Sequence, residues 1–229
     1  MSAIVSCYMY GHLGVRGELR VVDVQIESGT PSGFTKLSTR SSTGSVLDLT
    51  SKNTATVASL QYLGDNSVNF NVSSSAINVP ITGLSPSAVT VEAMVKVNGY
   101  GNYNIYVNNS WVTNGWLLFS TVDSWYFGVA NSSGNQFNVN FAHGSSNQWT
   151  HLTGIYDGST VRLYVNGIQR STRSLTTTTI RTNNQIRIGL GNASGVTEKL
   201  IDFVRIYNRA LTADEVLKNF NATRSRFGI

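Results

Sequence analysis

The stretch TGIYDGSTVRLYVNGIQR, residues 153–170, leaves a chain like this few folding options. Val161, Leu163 and Val165 alternate with Arg162 and Tyr164, the two-residue period of a strand with one buried face. Asp157-Gly158 precedes that run and Asn166-Gly167 follows it. Asn-Gly tolerates positive φ at both central positions of a type I′ turn, whose twist suits antiparallel strands. Ile155 and Tyr156 end a strand on the near side, so the spacing predicts a three-strand meander.

The same grammar extends outward. Strands are expected at Ser67–Val72, Val89–Val97, Trp116–Thr121, Trp125–Ala130, Gln136–Phe141, Trp149–Tyr156, Ile186–Gly189 and Leu200–Tyr207. Turn text separates them at Gly83-Leu84-Ser85-Pro86, Asn114-Gly115, Ser133-Gly134-Asn135 and Asn192-Ala193-Ser194-Gly195. Apolar residues make up 41% and charged residues only 13%, which excludes a disordered chain and suits strands with one wet face. A length of 229 residues suits one large all-β domain. Many short strands with frequent turn signals favour an all-β fold, an antiparallel β-sandwich or a barrel, here with one short C-terminal helix.

Residues 1–45 read differently. Val22, Val24 and Ile26 alternate with Asp23, Gln25 and Glu27, and linker text GTPSGF and STRSSTGS follows. This predicts an N-terminal arm or small β extension over 1–45, outside the main domain of 46–221. At the other end, Thr212 and Glu215 make a capping box that starts a helix, with Asp214 and Glu215 complementing its positive end. Val216, Leu217 and Phe220 are expected to face the sandwich, and Asn219 and Asn221 to terminate the helix. Residues 222–229 remain as a basic tail. Such a short helix must dock on something to persist.

Net charge is +5, but the arginines are scattered with no Lys/Arg-rich run, so a nucleic-acid partner is not expected. Cys7 is the only cysteine, so no internal disulfide can form and stability must come from the core. No segment resembles a membrane span, and the N-terminal text lacks the parts of a signal peptide. Neither a membrane partner nor export by that route is expected.

VTVEAMVKV, QWTHLTGIYDGSTVRLYVNG, QIRIGLG and LIDFVRIYNRALTADEVLKNF, in that order, resemble the concanavalin A-like lectin/glucanase superfamily in its laminin-G-like (LamG) form. VLDLTSKNTATV and SVNFNVSSSAINVP look like the first strands of the same fold. The ending FNATRSRFGI looks like that of LamG-type virion structural proteins of tailed bacteriophages. The resemblance implies a non-enzymatic jelly roll displayed on a virion, as capsid decoration or tail-associated. It would be made in the host cytoplasm and dock through its terminal arms. Other virion proteins, further copies of the chain and surface glycans are the implied partners. Arg224, Arg226 and Phe227 are the docking-tail candidates.

Two alternatives stay open. The first is a carbohydrate-binding or adhesion module for host recognition. Tyr100, Tyr103 and Trp111, in an insert rich in Asn and aromatics, are its glycan-contact candidates. Trp116 and Trp125, alternating with Leu118 and Phe127, are expected in the core, and Trp149 matches the family's core tryptophan. The weaker alternative is a glycoside hydrolase of the glucanase branch, which needs two carboxylates across one groove. None of the twelve acidic residues form an i, i+2 pair, and Glu92 reads as a structural acid, so no catalytic residue is assigned. Nothing in the spacing of His143, His151 and Asp157 demands a metal. Calcium is the cofactor the resemblance raises, but Phe70-Asn71-Val72-Ser73-Ser74-Ser75 stands where the family carries aspartates. No cofactor or metal is therefore expected.

Overall fold

The computed structural model describes residues 68–70, 75–79, 87–99, 106–107, 115–131, 133–144, 146–175, 180, 185–189 and 199–229 in full. It also describes the backbone of the strands within 3–62, and of 80, 104–105 and 108–109. The strands in chain order are β1 (Ala3–Tyr8), β2 (His12–Leu13), β3 (Leu19–Arg20), β4 (Asp23–Ser28), β5 (Ser45–Asp48), β6 (Thr54–Ala58), β7 (Gln61–Tyr62), β8 (Val68–Asn69) and β9 (Ala76–Pro80). There follow β10 (Val89–Val97), β11 (Asn104–Asn109), β12 (Gly115–Ser120), β13 (Ser124–Ala130), β14 (Gln136–Ala142), β15 (Thr150–Tyr156), β16 (Thr160–Val165), β17 (Ile168–Ser174), β18 (Gln185–Ile188) and β19 (Lys199–Tyr207). Helix α1 spans Ala213–Thr223 and a 3-10 turn spans Arg224–Phe227.

Two ladders form the sandwich. The first runs β4–β1–β19–β10–β15–β16–β17, with β8 pairing the start of β19 beyond the end of β1. The second runs β6–β9–β18–β11–β12–β13–β14. Strand β5 joins them, antiparallel to β6 and parallel to β4. The meander expected over residues 153–170 is β15–β16–β17. Its second turn has φ of 52° at Asn166 and 76° at Gly167, the signature of type I′.

The strand alternation sorts the core. Val89, Val91, Ala93, Val95, Leu152 and Leu163 of the first sheet meet Trp116, Leu118, Trp125, Phe127 and Val129 of the second. Trp116 and Trp125 thus lie inside, as their alternation predicts. Trp149 does not join the core: it is half-buried at the edge, with its ring 5.0 Å from that of Phe227. The next residue, Thr150, opens β15, so Trp149 sits outside the alternation that sends side chains into the sandwich.

Parts of the N-terminal segment are laid on this domain. Strand β1 pairs antiparallel with β19, Ile4 opposite Tyr207, and with β4, extending the first sheet. The C-terminal segment 222–229 does not leave the domain as the sequence suggests. The helix runs on through Thr223 into the 3-10 turn, and Arg226 pairs with Asp202. A β-bulge precedes this contact: register on β10 jumps from Met94↔Phe203 to Val95↔Ile201 and skips Asp202. Its carboxylate is almost fully buried, and a buried carboxylate needs a counter-ion.

The sheets approach closely at Gly154. A Cβ there would lie 2.1 Å from Cδ2 of Phe127, whose ring comes from the facing sheet and is fully buried. Gly154→Ala is expected to destabilise by about 1–3 kcal/mol through overpacking, read as a lower urea midpoint with an unchanged m-value.

Candidate functional site

Titratable side chains gather at one place in the described structure, the outer face of the first sheet beneath α1. On β10 the residues opposite to the core set, Thr90, Glu92 and Met94, point there. The register places Thr153 and Arg205 directly beside Glu92, and His151 and Phe203 beside Met94. The helix covers this face with Val216 and Phe220, while Leu217, expected to face inward, is 44% exposed. Val216 and Phe220 stand four residues apart on the buried stripe, and Leu217 lies about 100° round the helix from Val216, at its margin.

Glu92 is fully buried. The Tyr207 hydroxyl donates to its Oε2 at 3.1 Å, and Asn219 Nδ2 donates to both carboxylate oxygens at 3.0 and 3.1 Å. Arg205 Nη1 stands 3.7 Å from Oε2. Burial raises the Glu92 pKa above the usual carboxylate range, and the Arg205 charge pulls against that rise. Asn219 therefore does not terminate the helix: it sits inside α1 and ties it to a carboxylate 127 residues away. The turn before the helix is tied as well. Thr90 Oγ1 donates to the Arg209 carbonyl at 2.8 Å and accepts from Leu211 N at 3.0 Å.

His151 is fully buried between the rings of Phe203 and Phe220, with Nε2 4.0 Å from Glu92 Oε1. Burial, aided by the Arg205 charge, lowers its pKa to about 3, so the ring is neutral at ordinary pH. The capping box forms as the sequence predicts. Glu215 N donates to Thr212 Oγ1 at 3.2 Å, and Thr212 N donates to Glu215 Oε2 at 2.8 Å. Arg209 adds two hydrogen bonds to the same carboxylate, at 2.7 and 2.8 Å, and its pKa falls to about 2.

Chemically, this cluster is a clasp. An acid, a histidine and an arginine lie within reach of one another, but every one is sealed from solvent by the helix. A substrate could reach Glu92 only if α1 lifted. His143 and Asp157 lie elsewhere. His143 is half-buried, with Nε2 3.2 Å from the Thr121 carbonyl. Asp157 closes its turn by accepting from Ser159 N and Thr160 N, and pairs with Arg162 at 2.6 Å. The three share no site.

The other broad surface is the outer face of the second sheet. With Trp116, Phe127, Val139, Ile186, Ile188 and Ile77 inside, Asn138, Gly128 and Leu117 in one register row and Arg187 with Asn78 in its continuation take the opposite side, where Leu117 and Gly128 are nonetheless buried. The next row brings Asn140 beside Tyr126 and Tyr126 beside Phe119, whose rings stack at 4.8 Å. Arg187 is exposed and donates from Nε to Gln185 Oε1 at 3.2 Å. None of the strands β6, β9, β11, β12, β13, β14 and β18 contains an Asp or Glu. Sequence reasoning missed this face because it looked for aromatics in the insert. The signal was the run of amides on alternate positions of QFNVNFA.

Of the site residues the sequence singled out, Tyr100, Tyr103 and Trp111 lie outside the described residues, as do 71–74 of the calcium-site text. Arg224, Arg226 and Phe227 fall in the 3-10 turn. Arg226 lies 4.7 Å from the Phe227 ring and Arg224 5.8 Å from that of Phe220.

Two outcomes test the clasp. Glu92→Ala removes the carboxylate beside buried Arg205 and the acceptor of Tyr207 and Asn219, and is expected to cost about 3–5 kcal/mol in urea denaturation. For His151 the folded pKa lies below the ordinary 6.5, so between 6.5 and about 3 the unfolded chain binds a proton that the folded chain does not. Stability therefore falls as pH drops through that window. Glu92, with its raised pKa, acts in the opposite sense. His151→Phe should show a smaller acid loss than the unmodified protein between pH 6.5 and 4, measured as unfolding free energy against pH.

The Laminin_G_3 family profile, described as concanavalin A-like lectin/glucanases superfamily, matches residues 71–217, more than half of the chain. No curated protein matches the sequence significantly. Among solved structures, the binding domain of Paraclostridial Mosquitocidal Protein 1 aligns over 79% of this chain and 50% of its own, at 21% identity and a TM-score of 0.68. The binding domain of botulinum neurotoxin serotype D aligns over 96% and 52%, at 14% identity and a TM-score of 0.70. The binding domain of botulinum neurotoxin DC, solved in complex with SialylT, aligns over 76% and 47%, at 13% identity and a TM-score of 0.65. The chain thus spans about half the length of these structures, and at such identities the likeness is one of fold. No helix among the described residues is long and apolar enough to cross a membrane. By the match over residues 71–217 and the two-sheet sandwich that carries it, the chain belongs to the concanavalin A-like lectin/glucanases superfamily, in its Laminin_G_3 family.

Proposed function

We propose that the chain is a non-catalytic binding module: a virion structural protein of a tailed phage, displayed on the particle and contacting surface glycans with the outer face of its second sheet. The observation that carries the binding part is the absence of any carboxylate on the seven strands of that sheet. Glycoside hydrolysis requires an acid and a nucleophile or base flanking the scissile bond. A face of amides with one arginine and a tyrosine offers donors, acceptors and a ring, which is what a saccharide needs to be held and left intact. The similar solved structures are binding domains of toxins, one of them in complex with SialylT, which supports the same reading.

The virion part rests on the resemblance of the C-terminal text. The tail contributes to docking as a folded element, with Arg224 exposed and with Arg226 and Phe227 anchoring it to Asp202 and Trp149. Tyr100, Tyr103 and Trp111 are further glycan contacts under this reading.

A glycan array with the folded protein, followed by product analysis, tests the binding part. Binding without release of reducing ends is expected. Asn138→Ala with Asn140→Ala and Tyr126→Ala should weaken binding at least tenfold, about 1.4 kcal/mol. Hydrolysis of any bound glycan, or a silent array, would sink it. Mass spectrometry of gradient-purified particles whose genome encodes the chain tests the virion part. The chain is expected in near-stoichiometric ratio to a known structural protein, and its absence refutes the assignment.

A further inference from the structure

One flank of the sandwich is closed by two edge strands. Among the described residues β17 pairs only with β16, at the end of the first sheet, and β14 only with β13, at the end of the second. Between them sit two guanidinium groups. Arg170 lies 4.9 Å from the centre of the Phe141 ring, and Arg173 lies 5.4 Å from that of Phe137. The two rings belong to one strand four residues apart, so the two charges are held on the same side, about 13 Å from each other. Arg170 is placed by a bulge: the register passes from Leu163↔Ser171 to Tyr164↔Gln169 and skips it.

These two arginines differ from four of the six other arginines whose side chains the structure describes. Arg162, Arg205, Arg209 and Arg226 each meet a carboxylate within 4.0 Å. Arg170 and Arg173 are exposed and meet none among the described residues, and strands β14, β16 and β17 contain no Asp or Glu. Ring contact restrains each guanidinium without neutralising it, and leaves its N–H edge for an incoming oxyanion. Exposed Gln136, Thr172 and Ser174 are neighbouring polar groups on the two strands, and such groups match sugar hydroxyls.

We propose that this flank binds an acidic oligosaccharide, its carboxylate or sulfate groups held by Arg170 and Arg173 and its hydroxyls by the neighbouring amides and hydroxyls. The separation of the charges calls for two anionic sugars on one chain rather than a single acidic monosaccharide. Nucleic acid fits less well. Single-stranded binding relies on open aromatic plates, and both rings here are covered by guanidinium. Two cations also release few counterions. The inference rests on the binding-module reading but uses a surface distinct from the outer face of the second sheet.

Isothermal titration at 50 and 300 mM NaCl tests it, with oligogalacturonate as the carboxylated probe, dextran sulfate as the sulfated one and neutral dextran as control. Single-stranded oligo-dT and poly-glutamate, matched in charge, complete the set. Binding is expected to one or both acidic saccharides, weaker at high salt, with neutral dextran inert. Arg170→Gln with Arg173→Gln should lose at least tenfold. Arg170→Lys with Arg173→Lys, which keeps the stems and charges, should retain part of the affinity and guards against loss of folding. The Asn138, Asn140 and Tyr126 variants should leave acidic binding intact. Loss of neutral-glycan binding in those variants alone would bear on the sheet face and not on this flank. The proposal is overturned if neutral dextran binds as tightly as the acidic probes, if the double Gln variant folds and binds unchanged, if no acidic saccharide binds, or if oligo-dT or poly-glutamate binds more tightly than both.

Discussion

A carboxylate with no access to water governs how this domain is closed. Glu92 lies on a central strand with its side chain away from the core, in a position that would be wet if the sheet stood alone. Its charge becomes tolerable only because Arg205, Tyr207 and Asn219 converge on it. Two of those partners come from β19 and the third from the helix. The C-terminal element is therefore held by polar specificity as well as by Val216 and Phe220. Helix α1 is eleven residues long and could not persist unsupported. The 3-10 turn that follows it supplies Arg226 to a second buried acid, Asp202.

This arrangement makes the two sheets unequal. The first has part of its outer face covered by the helix, and Glu92, His151 and Arg205 are buried in that contact. The second keeps its outer face for other uses, and its strands carry amides and an arginine but no carboxylate. The buried acid–histidine–arginine cluster and the amide-bearing strands thus belong to different sheets. The proposed binding role rests on that division.

Much of the fold was legible from local text. The strands Val89–Val97 and Thr160–Val165, the Asn166-Gly167 turn, the Thr212–Glu215 capping box and the inward Trp116 and Trp125 all follow from short-range rules. The candidate sites were less legible. Asn219 reads as a helix stopper because Asn often is one, yet its amide is occupied with an acid 127 residues earlier. Leu217 reads as a core residue because it is apolar, yet the helix is rotated by the needs of Asn219 and Phe220. The tail reads as free because it is basic and follows a helix, yet it supplies a counter-ion to Asp202, at a bulge that no single-strand pattern reveals.

What the sequence by itself determined was the set of elements and their facing. Strand period, turn conformation and helix start depend on the sterics and hydrogen bonding of residues a few positions apart, and these are written in the local text. What only the tertiary structure decided was which side chains meet across sheets: Glu92 with Asn219, Asp202 with Arg226, and Arg170 and Arg173 with the rings of Phe141 and Phe137. Those meetings depend on register, on two bulges and on the packing of one sheet over another. Register shifted by one residue would exchange every face, so the same local text is compatible with many sets of contacts. The close packing of the whole domain selects one of them.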